Sequence, residues 1–126
     1  MQNMVVAHFT DNKLVQGVTN DFFPNKDSFH LIRAGETLEI NTSELKAVYF
    51  VKTFEGNPDY KERHDIERLG FGKKIEVRFK DSETMIGYTQ GFSPNRPGFF
   101  VFPSDPESNN NRIFVVNAAT DDIHFV

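Results

Sequence analysis

Short apolar-rich runs, punctuated by turn residues, succeed one another along this chain. Val5 to Phe9 reads as a strand. Asp11-Asn12 reads as a turn, because both residues tolerate left-handed dihedrals. Lys13 to Phe22 reads as a long strand with Gly17 inside it, and Pro24-Asn25-Lys26-Asp27 as a second turn. Phe29 to Ile32 follows, then Ala34-Gly35, then Thr37 to Asn41, where Leu38 and Ile40 alternate with polar residues. Ala47 to Val51 closes the set. A second set comprises Ile75 to Phe79, Thr84 to Phe92, Phe99 to Phe102, Arg112 to Asn117 and Ile123 to Val126.

The two sets are copies. Displaced by seventy residues, His8–Leu31 lies on Arg78–Val101 without a gap, and eight of twenty-four positions are identical. They are Phe9/Phe79, Asp11/Asp81, Gly17/Gly87, Thr19/Thr89, Phe22/Phe92, Pro24/Pro94, Asn25/Asn95 and Phe29/Phe99. About five extra residues follow in the second copy, around Pro103 to Asn111, and the copies end alike on Tyr49-Phe50-Val51 and His124-Phe125-Val126. Five short strands in some fifty residues predict a small, strongly bent barrel for each copy. A mid-strand glycine weakens a strand unless a bend or close backbone approach requires it, so Gly17 and Gly87 mark the expected bends. The expected fold is thus all-β, with two tandem five-stranded small barrels, Sm-like or SH3-like, related by a pseudo-two-fold and packed through Phe-rich faces. Residues 1–51 form the first, 52–74 a linker and 75–126 the second. In the linker, Asn57 as N-cap and Pro58 as first helical residue predict a short helix to about Arg68.

Composition narrows the functional classes. The 126 residues include fourteen Phe, three Tyr and no Trp or Cys. The absence of cysteine excludes a disulfide framework, a thiolate metal site and a cysteine nucleophile. The net charge of −4 offers no basic excess for non-specific phosphate binding. No apolar run is long enough to span a bilayer. Met1-Gln2-Asn3-Met4 has no secretory pattern, so a cytoplasmic location is expected.

Two resemblances add expectations. Each copy resembles the first motif of Sm-like proteins: an apolar strand, Asp11-Asn12 or Asp81-Ser82, then Leu14-Val15-Gln16-Gly17 or Met85-Ile86-Gly87, with Asp21-Phe22 beyond in the first. The second Sm motif, Ile-Arg-Gly, is absent. Ala47-Val48-Tyr49 and Asp122-Ile123-His124 stand in its place. The whole chain also resembles an uncharacterised bacterial domain of signalling proteins, sometimes accompanied by PilZ domains. That likeness rests on Phe54-Glu55-Gly56-Asn57-Pro58-Asp59-Tyr60, Asn95-Arg96-Pro97-Gly98-Phe99-Phe100 and Asn109-Asn110-Asn111-Arg112-Ile113-Phe114-Val115. It implies a bacterial regulatory module.

Motifs of known chemistry are missing. Arg63 and Arg68 are five apart rather than the four of a PilZ nucleotide motif, so they read as linker charges. His8, His30, His64 and His124 show no metal-ligand spacing. Gly70-Phe71-Gly72-Lys73-Lys74 enters a strand rather than a helix and lacks the dipole of a phosphate loop. No catalytic, cofactor or metal residues are expected.

The expected function is a non-enzymatic regulatory or protein-interaction module, a pseudo-dimer within one chain and a candidate homodimer. Its candidate surface comprises Phe23, Asn25, Lys26, Asn95, Arg96, Phe99 and Arg112, where Pro-Asn-basic turns lie beside aromatics. One alternative is RNA or other nucleic-acid binding through Lys73, Lys74, Arg78, Lys80, Arg96 and Arg112, with Phe rings for stacking. Another is nucleotide sensing.

Overall fold

The computed structural model describes residues 2–126; Met1 lies outside the described residues. The chain is all-β. Ten strands form one antiparallel sheet: β1 Asn3–Phe9, β2 Leu14–Thr19, β3 Ser28–Arg33, β4 Glu36–Asn41, β5 Leu45–Val51, β6 Lys73–Phe79, β7 Thr84–Thr89, β8 Gly98–Pro103, β9 Asn110–Val116 and β10 Thr120–Phe125. Their order across the sheet is β10-β6-β7-β8-β9-β5-β1-β2-β3-β4. Two 3₁₀ turns, Thr42–Glu44 and Asn117–Ala119, precede β5 and β10.

The repeat is built atom for atom at its turns. Asp11 Oδ1 accepts from the Lys13 amide and Asp81 Oδ1 from the Glu83 amide, both at 3.0 Å. Asn12 and Ser82 between them have φ of 73° and 77°, as such a turn requires. The ring pairs Phe22–Phe29 and Phe92–Phe99 meet edge to face at 5.1 and 5.0 Å. Gly17 and Gly87 occupy matched mid-strand positions. A Cβ on Gly17 would lie 2.3 Å from Leu31 Cδ2 and 2.7 Å from the Ile32 carbonyl. On Gly87 it would lie 2.6 Å from Val101 Cγ1 and 2.5 Å from the Phe102 carbonyl. The β2–β3 and β7–β8 pairings beside them are short, one and two residue pairs.

The expectation of two tandem closed barrels is corrected. The sheet is a single open one, because β5 of the first copy pairs with β9 of the second. In register, Ala47 faces Val115, Val48 faces Phe114 and Tyr49 faces Ile113. Both strands are apolar on both faces, so each serves two cores at once. Val48, Phe50, Phe114 and Val116 join the first core with Val5, Phe29 and Leu31. Ala47, Ile113 and Val115 join the second with Ile75, Phe79 and Val101. Closing either copy on itself would leave one of these faces in water. Each fully buried Phe, such as Phe29, Phe79 and Phe114, contributes about 1.5–3 kcal/mol.

The linker helix is also corrected: residues 52–72 contain neither helix nor strand. Asn57 closes one turn, accepting from Tyr60 through its carbonyl and from Asp59 through its side chain. Beyond it no apolar stripe supports further turns, and the polar groups reach across to the second copy's insert. Tyr60 Oη and the Arg63 amide donate to Asp105, and Ser108 Oγ to Glu62. The strands expected to reach Phe22 and Phe92 stop at Thr19 and Thr89. There the Thr19 hydroxyl accepts from the Asp21 amide and the Thr89 hydroxyl from the Gly91 amide. Among the described residues no helix is long and apolar enough to cross a membrane.

Candidate functional site

The β5–β9 junction has a second consequence. It sets Phe50 beside Arg112 in the register, next to the rings that tie the two copies together. Phe22 contacts Phe50, Phe100 and Phe114 at 5.3, 6.1 and 5.0 Å, and Phe100 contacts Phe50 and Phe114 at 5.8 and 5.4 Å. The Arg112 guanidinium caps this cluster, 4.4 Å from the centroids of both Phe50 and Phe100. Burial against the rings lowers its pKa from the ordinary arginine value. The two ring faces offset part of its lost hydration.

Beyond Arg112 opens a groove of about 560 Å³. Phe92, Phe99, Phe100 and Phe102 line it, with Gln90, Ser93 and Arg96 and, from the first copy, Pro24. No acidic side chain lines it. Among the described residues neither Arg96 nor Arg112 has a carboxylate partner, whereas Lys46, Arg63 and Arg78 each pair with one. The turn carrying Arg96 is pinned: Asn117 Nδ2 donates to the carbonyls of Ser93 and Arg96 at 2.9 and 2.8 Å. Thr42 occupies the corresponding place in the first copy and makes no such clamp through its side chain.

The expected surface residues separate into three groups. Arg96, Phe99 and Arg112 share the groove with Pro24. Phe99 was expected to be an exposed ring; it is buried, because its position on β8 faces the second core. Phe23 is exposed and lies under the Lys26 ammonium at 4.8 Å, a pair of its own on the first turn. Asn25 and Asn95 stand on the exposed turn tips. Sequence reasoning missed Gln90, Phe92 and Phe102 as groove residues. The adjacency of β7, β8 and β9 within the second copy brings them beside Arg112.

The other polar groups disperse. Of the basic residues considered for nucleic acid, Lys73, Lys74 and Arg78 lie on β6, where Arg78 pairs with Asp121 at 3.2 Å. Lys80 lies in the turn after β6, and Arg96 and Arg112 face the groove. His30 Nδ1 sits 2.6 Å from Asp21, and His124 lies between Asp122 and Glu76. His8 stacks on Tyr49 with ring centroids 4.2 Å apart. Among the described residues no three His, Cys, Asp or Glu side chains converge as a metal set.

A family model described as "Family of unknown function (DUF6982)" matches residues 1–126. No curated protein and no solved structure matches the chain.

Proposed function

For a chain that belongs, over its whole length, to the DUF6982 family of unknown function, we propose a non-enzymatic interaction module of regulatory character, acting in the bacterial cytoplasm. Its recognition site is the groove of Arg96 and Arg112, and its partner presents an acidic segment of protein chain. One observation carries this reading. Two guanidinium groups, one of them half-buried on phenyl faces, stand without carboxylates in a chain whose net charge is −4. A desolvated cation is costly unless paired, and arginine's fork takes a carboxylate in two parallel hydrogen bonds. Each half also has the strand order of a small barrel, with its fifth strand beside its first: β5-β1-β2-β3-β4 and β10-β6-β7-β8-β9. We read the halves as opened Sm-like or SH3-like barrels, a scaffold suited to binding rather than to catalysis.

Fluorescence anisotropy with labelled decaglutamate tests the reading. Saturable binding that Arg112→Met weakens at least about tenfold is expected, in line with the loss of a charge-assisted pair. Binding indifferent to Arg96 and Arg112 overturns it. The ring-lined walls and the volume favour a second reading, a mononucleotide stacked in the same groove. A thermal shift by nucleotides, with none by decaglutamate, would select it.

A further inference from the structure

The two copies differ in how their outer faces are covered. On the second copy the linker lies over β7 and β8. Tyr88 Oη donates to the Ile66 carbonyl at 3.4 Å, Arg68 donates to the Pro103 carbonyl at 3.0 Å, and Phe71 packs on Phe102 at 5.3 Å. Tyr88 is thereby buried. The seventy-residue repeat places Val18, Ile32 and Arg33 where Tyr88, Phe102 and Pro103 stand. Among the described residues no linker hydrogen bond reaches them, and Val18 and Ile32 stay partly exposed. A groove of about 650 Å³ opens instead, lined by Leu14, Gln16, Val18, Ile32 and Arg33, with Phe54 at its margin and no acidic side chain. Leu14 is 58% exposed there.

We propose that this open face of β2 and β3 is a second docking site, and that it takes an extended segment of a partner protein alternating apolar and acidic side chains. The covered face supplies the backbone form of the occupant, since residues 65–68 run over it without helix, strand or turn. The side-chain chemistry follows from what differs between the copies. Tyr88, which donates to the linker's backbone, is replaced by Val18, so the occupant meets an apolar surface of Leu14, Val18 and Ile32. Where the linker brings the Arg68 cation to the Pro103 carbonyl, the first copy carries its own cation in Arg33. Arg33 has no ion pair among the described residues, although Glu36 stands opposite it in the register. A carboxylate on the occupant completes it, while a basic segment is repelled.

The test is a ¹H–¹⁵N correlation titration of the whole chain with a decapeptide alternating leucine and glutamate. Shifts at Leu14–Val18 and Ile32–Ala34 are expected, with the affinity read from those signals lowered at least about tenfold in Arg33→Glu, while any response at Arg96 and Arg112 reports the first groove and is not altered by Arg33→Glu. Leu14→Ser, on an exposed position that folding does not need, is expected to weaken binding as well. Shifts mapping only to Arg96 and Arg112 overturn the proposal. So does concentration-dependent movement of the same β2 and β3 signals without peptide, which would assign the face to a second copy of the chain.

Discussion

Replacing Gly87 with alanine sets two effects of opposite sign against each other. In an ordinary strand the change is favourable by roughly 0.5–1 kcal/mol, because glycine loses more backbone freedom on folding. Valine adds the strand preference of a branched side chain. At Gly87, however, the added Cβ would sit 2.5 Å from the Phe102 carbonyl oxygen and 2.6 Å from Val101 Cγ1. The first neighbour is backbone of β8, and the second belongs to a fully buried side chain. Neither yields without moving the second core, and overpacking of this kind costs about 1–3 kcal/mol. The clash wins for alanine, and valine adds two more methyl groups to it. A net loss of about 1–2 kcal/mol, alanine at the lower end and valine at the upper, lowers the Tm of a domain this size by roughly 3–10 °C. Calorimetry of Gly87→Ala, Gly87→Val and Gly17→Val reads it directly. Gly91→Ala is the control: nothing lies within 4 Å of its Cβ, and this variant is expected to melt at the wild-type temperature or slightly above. A Gly87→Val or Gly17→Val protein melting at or above wild type would refute the close strand approach, and with it the matched bends of the two copies.

Other consequences can be measured alongside. Burial, and then the neighbouring Lys46 cation, lower the His8 pKa, so the folded state favours neutral imidazole. Its contribution to stability is complete above the unfolded value near 6.5 and is lost as pH falls through that value towards the lower folded one. The guanidinium midpoint of wild type is expected to fall more between pH 8 and pH 5 than that of His8→Phe. Lys46, its side chain 12% exposed, links the copies by ion pairs to Asp81 at 2.7 Å and Glu83 at 2.5 Å over the Phe79 ring. Because both carboxylates are largely exposed, Lys46→Met is expected to cost only about 1 kcal/mol in denaturant titrations, with a shallower salt dependence than wild type. At the free edges β4 and β10, Glu39 and Asp122 occupy the places that Phe114 and Ala47 fill at the β5–β9 junction. Glu39→Phe with Asp122→Ala is expected to produce end-to-end assemblies in sedimentation runs, and wild type is expected to produce none through these edges.

The repeat was legible because its marks are local and chemical. The Asp11 and Asp81 turns, the mid-strand glycines and the Phe22–Phe29 and Phe92–Phe99 pairs each enforce their own geometry wherever they occur. The junction was not legible from the repeat, because it depends on how the copies differ. Its one signal was the unbroken apolar run Ile113-Phe114-Val115-Val116, set against Leu38-Glu39-Ile40-Asn41 in the first copy. An alternating strand serves one core, and a continuous run serves two. The linker misled because Asn57-Pro58 is a strong helix start, yet initiation without an apolar face sustains only one turn. At the site, Arg96 and Arg112 were legible as cations beside aromatics. The contribution of Pro24 was not, since it depends on packing between the copies, and the burial of Phe99 follows from which face of β8 turns to the second core.

The arginine side-chain Nε–H signals of ¹⁵N-labelled protein, followed during titration with decaglutamate, test the recognition groove most directly. The account predicts that the Arg112 and Arg96 signals shift together and saturate with one dissociation constant, while decalysine leaves them unmoved. Binding of decaglutamate with both signals stationary, or no binding at low salt, would contradict it.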